Sequence, residues 1–234
     1  MHNVFLEKLC RLISQYNIIS IIGESSTGKT TLALQLISNL MKNNDIANDQ
    51  IRSIWVQASE EFPKKRLISM YQMHPNIVSM LLKNIFVIPK DSPFSNMASQ
   101  SKFLRDFKNL LFPPGIKYIV IDNISHHHRL AQANFLNFQK KMKFMNEFFN
   151  HQLYPLIMLS LREHYHLFFI HEVSFDPQTG KLKAYNNQLF ERVKGIEIFL
   201  SKKIGSQLKS MKIFATGIND QCTYEISDQG LIIL

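Results

Sequence analysis

The chain has 234 residues, 45% of them hydrophobic and 19% charged, with a net charge of +9 and a pI near 9.5. That balance excludes global disorder and suits one large α/β domain spanning residues 1–234. No apolar run approaches the ~20 residues of a membrane helix, and Met1-His2-Asn3-Val4-Phe5-Leu6-Glu7-Lys8 lacks signal-peptide architecture, so a soluble intracellular protein is expected, cytoplasmic in a prokaryote and nuclear in a eukaryote.

Val4 to Leu12 reads as a short helix, and Asn17-Ile18-Ile19-Ser20-Ile21-Ile22 as an apolar strand. The strand runs into Gly23-Glu24-Ser25-Ser26-Thr27-Gly28-Lys29-Thr30, which fits G-x-x-x-x-G-K-[ST] without mismatch. Thr31 follows, and Leu32, Leu36, Ile37 and Leu40 then lie on one face of an amphipathic helix. Strand, glycine-rich loop and helix are what phosphate binding requires. The glycines let backbone N–H groups close around an anion at a helix N-terminus. Lys29 would reach the β- and γ-phosphates of ATP, and the Thr30 hydroxyl would hold Mg²⁺.

Ser53 to Ala58 is a second strand, followed by Glu60, Glu61 and Pro63, with Pro63 in the first turn of a helix. Asn84 to Ile88 is a third strand ended by Pro89, and Ser95 to Leu111 a helix broken by Pro113-Pro114-Gly115. Lys117-Tyr118-Ile119-Val120-Ile121-Asp122 is a fourth strand whose terminal Asp122 suits the Mg²⁺ shell of an NTPase. Glu60 and Glu61 are candidates for orienting water, and equally suit a helix N-terminus. His126-His127-His128 cannot easily converge on one ion and reads as a loop. A long helix runs on to about Phe149, with Phe135, Phe138, Met142, Met145 and Phe149 as a core-facing stripe.

Leu156 to Ser160 reads as the fifth strand, and Glu163 to Gln188, which holds His164, His166, His171, Phe168, Phe169, Pro177 and Gly180, as a long aperiodic loop. Three strands with short turns follow, at Gly195–Leu200, Ser210–Ala215 and Cys222–Ile226, and then a last strand, Leu231–Leu234. The fold expected is a mostly parallel sheet flanked by helices, extended by antiparallel strands. Cys10 and Cys222 have no metal spacing and read as reduced thiols. The positive charge, clustered at Lys64-Lys65-Arg66, Lys140-Lys141 with Lys143, and Lys202-Lys203 with Lys209 and Lys212, hints at a polyanionic partner.

On these motifs the chain resembles the RecA/RadA recombinase superfamily, and within it the short archaeal RadB-like paralogues and the eukaryotic recombinase paralogues. The phosphate loop with Thr30-Thr31-Leu32 carries the resemblance, with Ile54 to Leu67, Ile119 to Ser125 followed by Arg129, and the β-rich tail from Leu189 to Leu234. The resemblance implies a RecA-like P-loop NTPase core without the family's N-terminal helix-hairpin-helix domain, binding ATP and Mg²⁺ and acting in homologous recombination and DNA repair. The family's catalytic Glu falls at Ser59, with Glu60 displaced by one, which implies weak, DNA-dependent ATP hydrolysis. The family's Gln sensor at the end of the fifth strand is matched by Arg162. The first DNA-binding loop after Asp122 is shortened, and the Glu163–Gln188 segment stands for the second. Arg162, Lys181 and Lys183 would meet single-stranded DNA there. The implied partners are single-stranded DNA and another recombinase or a recombination nuclease, in a homo- or hetero-oligomer. Rival readings are a KaiC-like signalling ATPase and a non-hydrolysing ATP-binding adaptor; the β-rich tail argues against a small-molecule kinase.

Overall fold

The computed structural model describes residues 4–44, 51–176, 179–185, 187–190, 193–203 and 205–234. Met1, His2, Asn3 and Pro177, which enter the readings above, lie outside them.

The sheet grows from β1 (Ile18–Gly23), whose six residues are all buried. A strand apolar on both faces must be covered on both, and parallel pairing with helical crossovers does that. The chain continues through α2 (Lys29–Asn44), β2 (Arg52–Gln57), α3 (Lys64–Met70), α4 (Pro75–Asn84), β3 (Ile85–Ile88), α5 (Met97–Asp106) and β4 (Ile116–Asp122). A helix precedes β1 (α1, Val4–Ile13); α6 (His126–Ala133), α7 (Phe138–Phe148), α8 (Tyr154–Arg162) and β5 (His166–His171) follow β4. Next come a hairpin of β6 (Val173–Asp176) and β7 (Lys181–Ala184), the short α9 (Asn187–Phe190), and β8 (Ile196–Lys202), β9 (Lys209–Ala215), β10 (Ile218–Ser227) and β11 (Gly230–Ile233). The main sheet runs β11-β10-β9-β8-β1-β5-β4-β2-β3. From β8 to β3 every pairing is parallel; from β8 to β11 every pairing is antiparallel. One core lies between the sheet and α1, α2 and α4, the other between the sheet and α5, α7 and α8. The expected fold class is the observed one, and it is RecA-like.

Several boundaries differ from the sequence reading. Leu156–Ser160 is not a strand. It lies inside α8, where Leu156, Ile157, Leu159 and Ser160 are buried while Tyr154, Met158 and Leu161 face solvent. That is helical period, started by Pro155 in the first turn and masked in a five-residue apolar window. The fifth strand is His166–His171, where Leu167 to Ile170 are each 0% exposed. The supposed Glu163–Gln188 loop therefore holds a central strand, a hairpin and the start of α9.

The long helix after Asp122 is two helices. Asn137 separates them, its Oδ1 accepting from the N–H of Gln139 (2.8 Å) and Lys140 (3.3 Å) as the cap of α7. The apolar stripe survives only in part: Met145 and Phe149 are buried, but Phe138 is 74% exposed. The three histidines are not a loop either, but open α6. Pro63 caps α3 from outside, and α5 starts after Asn96, whose side chain accepts from Ser99 N at 3.0 Å. α4, which the sequence reading passes over, begins at Pro75.

The tail is clasped to α2 by one amide. Gln35 Oε1 accepts from Leu231 N at 2.9 Å and its Nε2 donates to Leu231 O at 3.2 Å, so a buried side chain pairs with β11 as a neighbouring strand would. Gly230, at φ +103°, keeps the space: a Cβ there would stand 2.8 Å from Gln35 Oε1. Gln35→Leu leaves a buried N–H and C=O without partners and is expected to destabilise the fold by about 1–3 kcal/mol. Urea unfolding of parent and variant checks this; equal midpoints would show the clasp to be neutral.

Candidate nucleotide site

The loop between β1 and α2 is shaped by contacts that admit only its glycines. A Cβ at Gly23 would lie 2.6 Å from Leu200 O and 2.7 Å from Thr27 Oγ1. Gly28 has φ +87°, and a Cβ there would lie 2.8 Å from Ile226 Cδ1. Within the loop, Thr27 Oγ1 and Lys29 Nζ both donate to Glu24 O at 2.8 Å. From below, the fully buried Tyr224 of β10 donates its hydroxyl to Thr27 O at 2.7 Å. Ser25 and Ser26 are exposed at the tip, and Thr31 is buried in the first turn of α2.

Asp122 ends β4, two strands from β1, and meets the loop across the end of β5. Thr30 Oγ1 donates to Asp122 Oδ2 at 2.8 Å. The carboxyl is 1% exposed, and its Oδ1 is buried with no protein hydrogen-bond partner. Burial pushes its pKa up to about 7, with Glu60 adding to the rise and the Thr30 hydrogen bond and Lys29 opposing it. Burial likewise pushes the Lys29 ammonium down, against the upward pull of Asp122, Glu172, Glu60 and Glu24. The backbone carbonyl of Asp122 also accepts from Ala58 N (2.7 Å) and Ser59 N (3.1 Å), fixing the end of β2 where exposed Glu60 sits.

Glu172, which the sequence reading missed, follows β5, which lies between β1 and β4. Its carboxylate accepts from Arg129 Nη1 (2.8 Å), His126 Nδ1 (3.0 Å) and Asn123 Nδ2 (3.4 Å). Burial raises this carboxyl, but the bonds from His126 and Arg129 outweigh it and hold it below the usual range. The available signal was Leu167-Phe168-Phe169-Ile170-His171-Glu172, an apolar run ending in an acid as β4 does.

The three histidines go to three elements. His126 meets Glu172; His127 Nε2 donates to Ala58 O (3.0 Å) and Phe94 O (2.8 Å); and His128 stacks on Phe144 with ring centroids 4.6 Å apart. Burial lowers the His128 pKa to about 4.

Arg162 is not at the end of a strand. It closes α8 just before β5 begins, so it lies at the opposite end of the sheet from the phosphate loop, and its Nε donates to Glu163 Oε1 at 2.7 Å. The position after the fifth strand belongs to Glu172. Lys181 and Lys183 are on β7, where Lys183 pairs with Asp176 at 2.8 Å and Lys181 is exposed; Phe175, 64% exposed, is opposite Leu182 and so on the other face of the hairpin.

No family model matches the chain. Over 127 residues, 52% of the chain, it is 27% identical to DNA repair protein RAD57 of Saccharomyces cerevisiae. The match covers 27% of that protein, so the chain spans about a quarter of the curated relative it resembles. This likeness and the strand order together support a RecA-like superfamily relationship. Among the described residues no helix is long and apolar enough to cross a membrane.

The buried carboxylate makes stability depend on pH. Its folded pKa, about 7, lies above the unfolded value of 3.8, so the folded state holds the proton more tightly. The stability this contributes is present in full below about pH 4 and is lost as pH rises through 7. Asp122→Asn removes the ionisation while keeping the shape. In urea titrations the variant is expected to gain on the parent steadily between pH 4 and 8, the shifts of His128 and His171 being common to both. A constant difference would mean the carboxyl is ionised throughout.

Proposed function

We propose that this chain is a nucleotide-binding module of a recombinase paralogue, acting in recombinational DNA repair with ATP and Mg²⁺ as its ligands. The observation that carries the reading is the junction of Thr30 with buried Asp122 beneath a glycine cradle. A carboxylate oxygen buried without a partner suits the water shell of a cation, since Mg²⁺ is held by one or two protein oxygens together with phosphates and water. The cradle supplies N–H groups to the phosphates, and Lys29 supplies a charge that neutralises them. When bound, Mg²⁺–ATP would bring a γ-phosphate that a positioned water can attack. This chain's residues would hold the phosphates. Glu60, exposed and next to Ser59, is the displaced water-positioning group, which supports turnover well below the ~10 s⁻¹ median of enzymes.

The likeness to DNA repair protein RAD57 supports the repair role. A recombination complex is the proposed setting, with a recombinase or recombination nuclease as the partner and the chain as one part of a homo- or hetero-oligomer. The hairpin that follows Glu172, with Lys181 and Lys183 on one face and Phe175 on the other, is the segment proposed to meet single-stranded DNA, the lysines through phosphate contacts and Phe175 by stacking.

Lys29→Ala is expected to weaken binding of a fluorescent ATP analogue roughly ten- to hundredfold, the loss of one charged hydrogen bond, with circular dichroism unchanged. Unchanged affinity in a folded variant overturns the phosphate-site reading.

Replacing Lys181 and Lys183 together with Ala is expected to weaken oligothymidylate binding and to reduce its log–log salt slope by about one to two units. Binding and slope equal to the parent's would remove the hairpin from the DNA site and favour an adaptor with protein partners.

A further inference from the structure

Glu172 is a carboxylate held rigid beside the phosphate loop. Its place follows from the register of the sheet. Ile22 pairs with His171 across parallel β1 and β5, which brings Glu172 to the level of Gly23, where the loop begins. The main chain pins it on both sides: its N–H donates to Ser125 Oγ at 2.8 Å, and its C=O accepts from Tyr185 N at 2.9 Å. Asn123, His126 and Arg129 hold the side chain. Burial opposes its charge, but the bonds from His126 and Arg129 outweigh burial, so the carboxyl is ionised at neutral pH.

Four carboxylates act on the Lys29 ammonium, in the order Asp122, Glu172, Glu60 and Glu24. Asp122 is tied to Thr30 and suits a cation. Glu60 is exposed, so water and salt screen it. The Glu172 side chain is only 22% exposed, whereas its partners are more open, Arg129 at 53% and His126 at 38%. The acid of this cluster is therefore less screened than the bases that hold it. His171, its neighbour at the end of β5, adds no compensating charge: it is fully buried, and burial, with Lys29 adding to the effect, pushes its pKa down to about 3.

We propose that Glu172 is a specificity-determining residue that disfavours a γ-phosphate, so that the site holds a nucleoside diphosphate more tightly than the triphosphate. The inference rests on the nucleotide reading of the loop. The cradle and the N-terminus of α2 favour the phosphates common to both nucleotides. A triphosphate adds negative charge on the side of Lys29, where a fixed carboxylate already acts. Like charges in a partly buried site repel far more than on an open surface. A diphosphate held in this way also slows turnover, since its release then limits the cycle.

The test uses the whole chain at saturating Mg²⁺, with a fluorescent ADP analogue and a non-hydrolysable fluorescent ATP analogue, and reads the ratio of their affinities. General damage to the cradle weakens both probes and cancels in the ratio. The parent is expected to favour the diphosphate, less so as salt rises. Glu172→Gln is expected to move the ratio toward the triphosphate roughly tenfold, the size of one screened like-charge contact, and Glu172→Ala to do the same. Glu172→Asp, which keeps the charge, is expected to stay with the parent. A parent that favours the triphosphate, or neutral variants with the parent's ratio, overturns the proposal and leaves the nucleotide reading standing. A shift of the neutral variants toward the diphosphate would make Glu172 a holder of the cation or of the γ-phosphate, and the proposal is wrong. If the folded parent binds neither probe, the nucleotide reading falls and this proposal with it.

Discussion

The hydrogen bond from Thr30 to Asp122 is the constraint on which the candidate site depends. It joins the first turn of α2 to the end of β4 across the end of β5. Such a bond forms only if β1, β5 and β4 are adjacent and parallel, with their ends level, so it reports the register of the sheet as well as the site. Three of the four carboxylates around Lys29, those of Glu60, Asp122 and Glu172, follow from the same alignment, since they stand at or just beyond the ends of β2, β4 and β5. Burial is the larger part of what pushes the Asp122 proton affinity up, and the charge of Glu60 adds to it.

The antiparallel extension is a brace for the loop as well as an addition to the sheet. Leu200 O sets the limit on Gly23, Ile226 the limit on Gly28, and Tyr224 takes up the carbonyl of Thr27. A loop with exposed serines at its tip and a left-handed residue at Ser26 gains its definition from these contacts beneath it. On the far side, His127 and the Asp122 carbonyl hold the end of β2, so every strand end that faces the loop is tied by at least one polar contact to a neighbour.

Most of this was legible wherever the sequence carried period and chemistry together. The phosphate loop sits between a buried apolar strand and an amphipathic helix, and β4 ends in the one residue type its position favours. The tail strands read correctly because short turns punctuate them. The failures share a cause. Leu156-Ile157-Met158-Leu159-Ser160 is apolar in a window too short to show a helical period, so it passed for a strand. His166-Leu167-Phe168-Phe169-Ile170-His171 has histidine at both ends, which disguised a central buried strand as loop. That one exchange displaced the fifth strand, moved the sensor position to Arg162 and hid Glu172. The division between α6 and α7 rests on the cap at Asn137, a single side chain within an otherwise continuous helical pattern.

The contact between Gly28 and Ile226 has a thermodynamic consequence. The loop and the last hairpin share one packed surface, with Ile226 opposite Leu231 in register and Leu231 held by Gln35 of α2. β11 is an edge of the sheet, and its backbone N–H and C=O at Leu231 are taken by Gln35 rather than by a further strand. Linkage then requires reciprocity: a loosening of this clasp that shifts Ile226 and alters the affinity of the loop for its ligand by some factor must itself be favoured or opposed, by that same factor, once the ligand is bound. The far rim of the sheet and the glycine cradle are in this sense a single coupled equilibrium.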